Sequence, residues 1–351
     1  MSTLLIPAAG KSSRFPNMRP KWLLTHPTGD SMIKKVLDAS RYQEYDKVVI
    51  CILREHCEKY GADTIIQQIF GSDVQLVILE NPTSSAAETV YEAMKRAELS
   101  GQVVIKDSDC IVRTSSPSEK NSIVGMQVDN KSDIDKIQTK SFIVKNDDGI
   151  IIDIVEKEVV SNIICLGVYS VLAEDFMSAF EDVSKSFVYK EHNEIYVSHI
   201  ISYLILQQKK IFNYIECEEF VDWGTKQDWM KERSKFKTYI FDIDGVLLKN
   251  YGKYGVKNWS NTFEPIEENV SLLKRLSDAG HEIVFMTSRD EVNLVGFLEY
   301  IDKLGIKYKS VVSGCYHGKR ILINDFAATN PWPSCEAISI KRNDLLGEYI
   351  D

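Results

Sequence analysis

The first hundred residues alternate between short apolar runs and longer amphipathic stretches. Four runs have the length of buried strands: LLIPAA, KVVICIL, VQLVILE and QVVIKD. The stretches near 32–40 and 85–98 space their apolar residues as a helix does. Buried runs separated by helical patterns are typical of a parallel sheet with helices on its faces. The pattern therefore predicts an α/β domain with a mixed, mostly parallel sheet.

The pattern changes between about 122 and 171. The stretch SFIVKNDDGIIIDIVEK contains two apolar segments around an Asp-Asp-Gly sequence, and Asp-Gly favours the tight turn of a β-hairpin. We therefore predict an antiparallel insertion at this point.

A second α/β cycle begins at Lys237. Three further segments contain apolar runs that predict strands: KTYIFDIDGV, HEIVFMTSR and KRILINDF. The polar segment 226–235 before them is expected to be a helix or a linker. The sequence thus predicts two Rossmann-like three-layer α/β domains, over residues 1–235 and 236–351.

Composition narrows the class of protein. A chain of 351 residues with 44% hydrophobic residues can build two cores. A net charge of −9 argues against general nucleic-acid binding, which needs a basic surface. The seven cysteines form no CxxC pair, and no apolar run has the length of a membrane span or a signal-peptide core. We expect a cytoplasmic protein with no nucleic-acid or membrane partner.

The loop after the first strand combines small residues with positive charge. Three small residues let the backbone approach a ligand closely: Ala8, Ala9 and Gly10. Lys11 and Arg14 add charge suited to a triphosphate, and Lys21 of the Pro-Lys pair can reach the same anion. Ligands of open α/β sheets bind beyond the carboxyl ends of strands, where this loop lies. The alternative is a surface loop with solvated cations.

The stretch PAAGKSSRF, followed by RPKWLL, resembles the start of the GT-A-like nucleotidyltransferases that make sugar nucleotides and related activated alcohols. The cytidylyltransferase branch, which prefers Pro-Ala-Ala-Gly, is most similar. The resemblance covers about residues 1–235 and implies that Arg14 and Lys21 contact phosphates, while the small-residue backbone holds the base and the triphosphate. The letters KSS after Gly10 are a departure, because many relatives have a second glycine there.

Two carboxylates, Asp107 and Asp109, follow the fourth predicted strand, and Asp222 precedes a glycine turn in FVDWGT. Paired carboxylates at a strand end suit Mg²⁺, although a polar turn is the alternative. The resemblance implies that the metal is shared between Asp222 and one of the two strand-end carboxylates. The choice between Asp107 and Asp109 stays open.

The Ser-rich loop NPTSSAAETVYEAM leads into a predicted helix. Ser84 or Ser85 suits its N-cap, with Glu88 completing a capping box. The resemblance instead implies that Ser85, Ala86 and the loop backbone recognise the base.

Three further residues lie at positions that face the acceptor in the relatives: Glu156, Lys157 and Gly167. For Glu156 and Lys157, a solvated strand end is the alternative. The implied reaction is attack by an acceptor phosphate oxygen on the α-phosphorus of an NTP, with CTP favoured and pyrophosphate expelled. Positioning and neutralisation of charge supply most of the rate in such a reaction.

The second domain begins with YIFDIDGVLL, which resembles the haloacid dehalogenase (HAD) superfamily of phosphatases. Asp242 would attack phosphorus with Mg²⁺ offsetting the charge repulsion, and Asp244 would act as general acid and then base. The alternative is a strand-end carboxylate pair that caps a turn.

Three later residues occur in the order that this superfamily shows: Thr287, Lys319 and Asp325. Thr287 is expected to bind phosphate, Lys319 to steady it, and Asp325 to join Asp242 and Asp244 as a metal ligand. Asn324 is a departure, because many relatives have a second acid there. The gaps between these motifs hold no large cap domain, so little or no cap is expected.

The preferred hypothesis is a bifunctional enzyme that uses an NTP and a small phosphorylated substrate, with surface-glycan precursor synthesis suggested by analogy. An alternative, motivated by Asn324, keeps the transferase but makes the HAD-like half a non-catalytic scaffold or regulatory domain. A third is a regulatory nucleotide-binding protein with neither activity. A homo-oligomer stays open.

Overall fold

The computed structural model describes residues 2–12, 15–16, 18–114, 120–128, 137–185, 194–250, 263–325 and 334–350. The chain divides into two compact units, Met1–Trp229 and Met230–Asp351. The division falls inside the helix Lys226–Ser234, in the segment expected to be a helix or a linker.

Unit 1 is built around a nine-stranded mixed sheet and a two-stranded one. Its strands are β1 Ser2–Pro7, β2 Lys47–Leu53, β3 Gln75–Leu79, β4 Gln102–Lys106, β5 Cys110–Arg113, β6 Ser122–Gln127, β7 Ser141–Lys145, β8 Ile151–Glu156, β9 Ile163–Leu172, β10 Asn213–Glu216 and β11 Glu219–Asp222. Its helices are α1 Met32–Ala39, α2 Arg54–Tyr60, α3 Ala62–Phe70, α4 Ala86–Arg96, α5 Ala173–Lys185, α6 Val197–Leu206 and α7 Lys226–Ser234, the last of which continues into unit 2.

The strand order of the large sheet is β10-β6-β9-β4-β1-β2-β3, with β7 paired to β8 and β9. Strands β3, β2, β1 and β4 are parallel to one another, whereas β9 is antiparallel to β4 and β6. The hairpin β7–β8 forms the predicted antiparallel insertion. The prediction of an α/β domain with a mixed sheet is therefore confirmed for this unit.

The continuous apolar runs explain the central strands. Leu5 of β1 belongs to the core on one face of the sheet, and Leu4 and Ile6 belong to the core on the other. Parallel strands covered on both faces need apolar residues at every position. Each fully buried aliphatic side chain contributes about 1.5–3 kcal/mol, so these runs hold the strands at the centre.

Unit 2 contains a three-stranded parallel sheet in the order β12-β13-β14. Its elements are β12 Thr238–Phe241, α8 Glu267–Asp278, β13 Glu282–Met286, α9 Val295–Lys303 and β14 Ser310–Val312. Among the described residues of both units, no helix combines the length and the apolarity needed to cross a membrane.

The strand predicted over KRILINDF is not formed in its described part. Residues 319–325 are irregular and exposed, with Ile321 74% and Ile323 87% accessible. The segment Ser310–Val312 instead pairs with β13, because it follows α9 directly and so completes the β-α-β crossover first.

Candidate active site

The candidate site of unit 1 begins at the carboxyl end of β1. Ala8 and Ala9 are buried, and the Ala8 N–H donates a 2.8 Å hydrogen bond to the Cys51 carbonyl oxygen of β2. Gly10 and Lys11, the next two residues, are exposed. The small side chains therefore let the loop leave the sheet close to its surface, with its charged end open to solvent.

Ser12 connects this loop to the Pro-Lys segment. It lies in the left-handed region with a φ of 49°, which non-glycine residues rarely adopt. Its hydroxyl accepts a 3.1 Å hydrogen bond from the Lys21 N–H. This bond helps to hold a serine within the stretch where many relatives have glycine. Arg14, the other predicted cation here, lies outside the described residues.

Lys21 and Asp109, which the sequence marked separately, form an ion pair. Lys21 begins a short 3₁₀ helix, and the next residue, Trp22, is buried in the core. Asp109 is only 9% exposed, a depth at which a carboxylate needs a partner. The buried tryptophan anchors the backbone from which Lys21 reaches this carboxylate.

The turn that carries Asp222 lies against the same strand-end loop. Strand β11 is antiparallel to β5, so Asp222 lies opposite Cys110, the residue after Asp109. The Trp223 N–H also donates a 2.9 Å hydrogen bond to the Asp109 carbonyl oxygen. Two carboxylates from distant parts of the chain are thus brought together.

Lys140 is the residue of this site that sequence reasoning missed. Its ammonium binds Oδ2 of Asp222, whose Oδ1 accepts a 2.8 Å hydrogen bond from the Gly224 N–H. The two side chains are 25% and 20% exposed. Burial lowers the pKa of Lys140, but attraction to Asp222 and their hydrogen bond outweigh it, and the net pKa is raised. The ammonium therefore stays charged.

Gly167 packs directly against Asp107. The Asp107 N–H donates a 2.9 Å hydrogen bond to the Gly167 carbonyl oxygen. Gly167 has a φ of +69°, and a Cβ on it would lie 2.0 Å from Oδ2 of Asp107. Gly167, predicted to face the acceptor, therefore makes room for a carboxylate in this structure.

Asp107 is exposed to solvent and lies among charged groups. Desolvation by the surrounding protein, followed by repulsion from Asp109, raises the pKa of Asp107 to about 6, although three lysines oppose the shift: Lys106, Lys21 and Lys140. Because water reaches the carboxyl, it is only partly desolvated. Of the two strand-end carboxylates, Asp109 is the one whose backbone is bonded to the turn of Asp222.

A buried lysine holds this strand-end turn. Lys106 is 2% exposed, and its ammonium donates 2.8 Å hydrogen bonds to the carbonyl oxygens of Asp107 and Cys110 and a 3.0 Å bond to Cys110 Sγ. Both ends of the turn that carries Asp109 are therefore fixed to one cation. The local sequence signal is a lysine that ends the apolar run QVVIK.

Ser85 caps helix α4. Its hydroxyl accepts a 3.2 Å hydrogen bond from the Glu88 N–H, and the Glu88 carboxylate accepts from the Ser84 N–H and hydroxyl at 2.5 and 2.6 Å. Ser85 is therefore the N-cap residue, as one of the two predicted alternatives. The capping box is incomplete, because the Glu88 carboxylate binds Ser84 and not the backbone N–H of Ser85. Ala86 is exposed at the first turn and remains available to a ligand.

The predicted acceptor residues Glu156 and Lys157 lie next to Lys140. The Lys157 N–H donates a 3.1 Å hydrogen bond to the Lys140 carbonyl oxygen, and its ammonium contacts the hydroxyl and the ring of Tyr196. Glu156 accepts hydrogen bonds from two serine hydroxyls, one of them Ser198 at 2.6 Å. Both side chains are therefore engaged within the protein, and it is the backbone of Lys157 that adjoins Lys140.

The donor set at Asp109 and Asp222 fits magnesium. Mg²⁺ commonly uses one or two protein carboxylates and completes its coordination with substrate phosphates and water. Within the described ranges, no group of three or more His, Cys, Asp and Glu side chains is arranged to hold a metal ion. Each of the two carboxylates is paired with a lysine, so a metal would have to replace the lysines as their cation.

In unit 2, both carboxylates of the Asp-x-Asp motif are paired with arginines. Arg289, 1% exposed, donates two hydrogen bonds to Asp244, from Nε at 2.8 Å and from Nη2 at 2.6 Å. Asp242 lies 3.5 Å from Nη2 of Arg320. Desolvation raises the pKa of Asp242, and attraction to Arg320 opposes this effect.

The other predicted residues of unit 2 lie in different surroundings. Thr287 is fully buried, and its hydroxyl accepts a 3.1 Å hydrogen bond from the Arg289 N–H. Lys319 and Asp325 are exposed, and Asn324 binds the Ser334 carbonyl oxygen at 3.1 Å. Arg320, the neighbour of Lys319, is the cation beside Asp242.

Comparison with known proteins bears mainly on unit 1. Residues 4–115 match the model of the MobA-like NTP transferase domain. Among curated proteins, none matches the chain.

Several solved structures share the fold. A nucleoside-diphosphate-sugar pyrophosphorylase from Vibrio cholerae RC9 is 18% identical with a TM-score of 0.57, over 66% of this chain and 99% of its own. An inositol-1-phosphate CTP transferase from T. maritima is 12% identical with a TM-score of 0.52, over 66% and 96%. A putative glucose-1-phosphate thymidylyltransferase from Bacillus anthracis is 16% identical with a TM-score of 0.53, over 67% and 94%. The chain thus contains a nucleotidyltransferase-like fold, over a share about the size of unit 1.

Proposed function

We propose that unit 1 transfers a nucleotide monophosphate from an NTP, with CTP favoured, to a small phosphorylated acceptor and releases pyrophosphate. The observation that carries this proposal is the joining of Lys21, Asp109 and Asp222 at the carboxyl end of β4, beside the small-residue loop. The MobA-like match and the fold neighbours support the reaction class.

In this reaction an acceptor phosphate oxygen forms a bond to the α-phosphorus, and the bond from that phosphorus to the bridging oxygen of pyrophosphate breaks. Asp109 and Asp222 would hold Mg²⁺, which supplies positive charge next to the phosphates when bound. Lys21 neutralises charge on the triphosphate, and the Ala8–Gly10 backbone lets the nucleotide approach the sheet. Lys106 and Trp22 keep these groups in place before the substrate binds, so little reorganisation is needed.

The preference for CTP rests on the Pro-Ala-Ala-Gly loop, and one fold neighbour is a CTP transferase. The test is a panel of the four NTPs against sugar phosphates, glycerol phosphate and amino-alcohol phosphates, read by pyrophosphate release and mass spectrometry of the product. Lys21→Ala and Asp222→Ala should each abolish transfer in the full chain. Release of no pyrophosphate from any pair would refute the transferase.

We also propose that unit 2 hydrolyses a phosphate monoester, because its sequence resembles the HAD pattern. By analogy, the whole protein would then act on intermediates of surface-glycan precursor assembly. Asp242 would act as nucleophile and Asp244 as acid and base. Arg320 beside Asp242 offers the cation for the phosphoryl group.

A non-catalytic role for unit 2 is the second candidate, and the pairing of Asp244 with Arg289 favours it. Both carboxylate oxygens of Asp244 accept a hydrogen bond from the buried guanidinium, so a substrate would have to displace one of these bonds to reach the carboxylate. Phosphatase assays of the full chain and of Asp242→Asn decide between the two. Phosphate release that Asp242→Asn eliminates supports the hydrolase; no release from a monoester panel supports the non-catalytic role.

A further inference from the structure

Two ammonium groups reach the carboxylate pair of unit 1 from different segments of the chain. Lys21 comes from the Pro-Lys segment, which Ser12 bonds to the nucleotide loop. Lys140 precedes the β7–β8 hairpin, and its carbonyl oxygen accepts the N–H of Lys157. Lys140 therefore belongs to the part of the site that carries the predicted acceptor residues.

The surroundings of Lys140 require an anionic partner. Its side chain is 25% exposed, and an ammonium at that depth loses much of its hydration. Asp222 supplies the partner in this structure. When Asp222 binds a divalent cation, the metal and the ammonium compete for the same carboxylate, and their like charges repel each other. The ammonium then keeps the attraction of Asp107 and Asp109, and an anionic ligand within its reach can replace the hydrogen bond to Asp222.

We propose that Lys140 binds the phosphate of the acceptor, and that Asp222 holds its ammonium in the site until a divalent metal takes its place. This inference rests on the proposed transferase function. In an in-line displacement, the nucleophile and the leaving group lie on opposite sides of the reacting phosphorus. Lys140 would bind the acceptor phosphate, which supplies the nucleophile, while Lys21 would bind the triphosphate, which contains the leaving group.

The first test measures metal binding without turnover. Mn²⁺ is titrated into the substrate-free full chain and followed by electron paramagnetic resonance for the wild type, Lys140→Gln and Lys140→Arg. Loss of the competing ammonium should tighten Mn²⁺ binding by about tenfold in Lys140→Gln, the equivalent of one charge-assisted hydrogen bond, and leave Lys140→Arg near the wild type. Unchanged or weaker Mn²⁺ binding in Lys140→Gln would overturn the proposal.

The second test uses inorganic phosphate as the probe. Phosphate binding to the Mn²⁺-loaded full chain, measured by calorimetry with CTP present, should weaken about tenfold in Lys140→Gln and largely recover in Lys140→Arg. Lys145→Gln is the matched control, because Lys145 ends strand β7, which Lys140 directly precedes, but packs over the Tyr214 ring. Equal phosphate binding in the wild type and Lys140→Gln contradicts the assignment.

The two proposals can fail separately. If the wild type transfers no nucleotide in the panel, the transferase function fails whatever the Mn²⁺ titration shows. If the wild type transfers nucleotide and Lys140→Gln raises the KM of the NTP but not that of the acceptor, only the role of Lys140 is wrong. Thermal unfolding of each variant confirms that a loss of binding does not reflect a loss of fold.

Discussion

Replacement of Gly167 by alanine tests the closest packing at the candidate site. The added Cβ would lie 2.0 Å from Oδ2 and 2.5 Å from Cγ of Asp107, distances at which the carboxylate must move. The φ of +69° adds a separate cost of about 1–2 kcal/mol for any residue with a Cβ. With the displaced contact, we expect Gly167→Ala to lower the free energy of unfolding by about 2–4 kcal/mol.

A second glycine separates these two costs. Gly149 has a φ of +79°, and a Cβ there meets no atom within 4 Å. Gly149→Ala should therefore show only the backbone cost of about 1–2 kcal/mol. Urea unfolding of the full chain, followed by far-UV circular dichroism, compares the two variants with the wild type.

Removal of the Asp107 carboxylate should reduce the destabilisation that Gly167→Ala causes. In the double variant Gly167→Ala with Asp107→Ala, only the 3.1 Å contact with the Cβ of residue 107 remains, so the loss of stability should fall toward that of Gly149→Ala plus the effect of Asp107→Ala alone. A coupling energy of about 1–2 kcal/mol is expected from this cycle. Equal destabilisation by Gly167→Ala and Gly149→Ala, with no coupling to Asp107, would refute the close packing.

Three further changes test other parts of the chain. Burial lowers the pKa of His56 to about 4, so stability should rise as the pH increases from 4 to 6.5, and His56→Gln should flatten this dependence in urea unfolding at several pH values. Lys106→Met should lower the free energy of unfolding by about 2 kcal/mol and reduce nucleotidyl transfer more than Lys47→Met, a control that loses a single 3.0 Å bond at the far end of β2. Arg289→Met leaves Asp244 without its guanidinium and should destabilise the protein by about 3–5 kcal/mol in thermal unfolding, whereas Arg289→Lys should lose less; equal losses would contradict the importance of the charge.

The central strands of unit 1 were predictable because their positions are apolar on both faces. The runs around Leu5, Val49 and Val104 have no polar residue that would suit an exposed face. The sequence indicated Lys21 and Asp109 separately, and their ion pair is seen only in the structure, where the carboxyl ends of the neighbouring parallel strands β1 and β4 meet at one edge.

Lys140, which sequence reasoning missed, and Gly167, whose packing against Asp107 it did not predict, owe these roles to contacts between distant segments. Lys140 lies before an ordinary hairpin strand, and only the pairing of β11 with β5 brings Asp222 within its reach. The role of Gly167 needs the position of Asp107, a neighbour across strands β4 and β9. No local spacing encodes either contact.

The wrong strand in unit 2 has a different cause. KRILINDF has the apolar residues of a buried strand. An apolar run shows that a segment can form a strand, but it does not show which strand of the sheet the segment would pair with. Ser310–Val312 is shorter and less apolar, yet it pairs with β13, because it is the first extended segment after α9. Ile321 and Ile323 are left exposed in the irregular segment 319–325.

The carboxylates of the two units are held by cations of different kinds, and this difference bears on their proposed chemistry. In unit 1 the partners are lysines, whose single ammonium on a flexible stem can leave a carboxylate when a metal arrives. In unit 2 Asp244 is held by a planar guanidinium through two hydrogen bonds, which is a pre-organised and less exchangeable arrangement. Metal entry should therefore cost less at Asp222 than at Asp244. Mn²⁺ titration of the two variants tests this expectation. Asp222→Ala should lose the tighter Mn²⁺ site, and Asp244→Ala should keep it. Loss of the tighter site in Asp244→Ala and not in Asp222→Ala would contradict this reasoning.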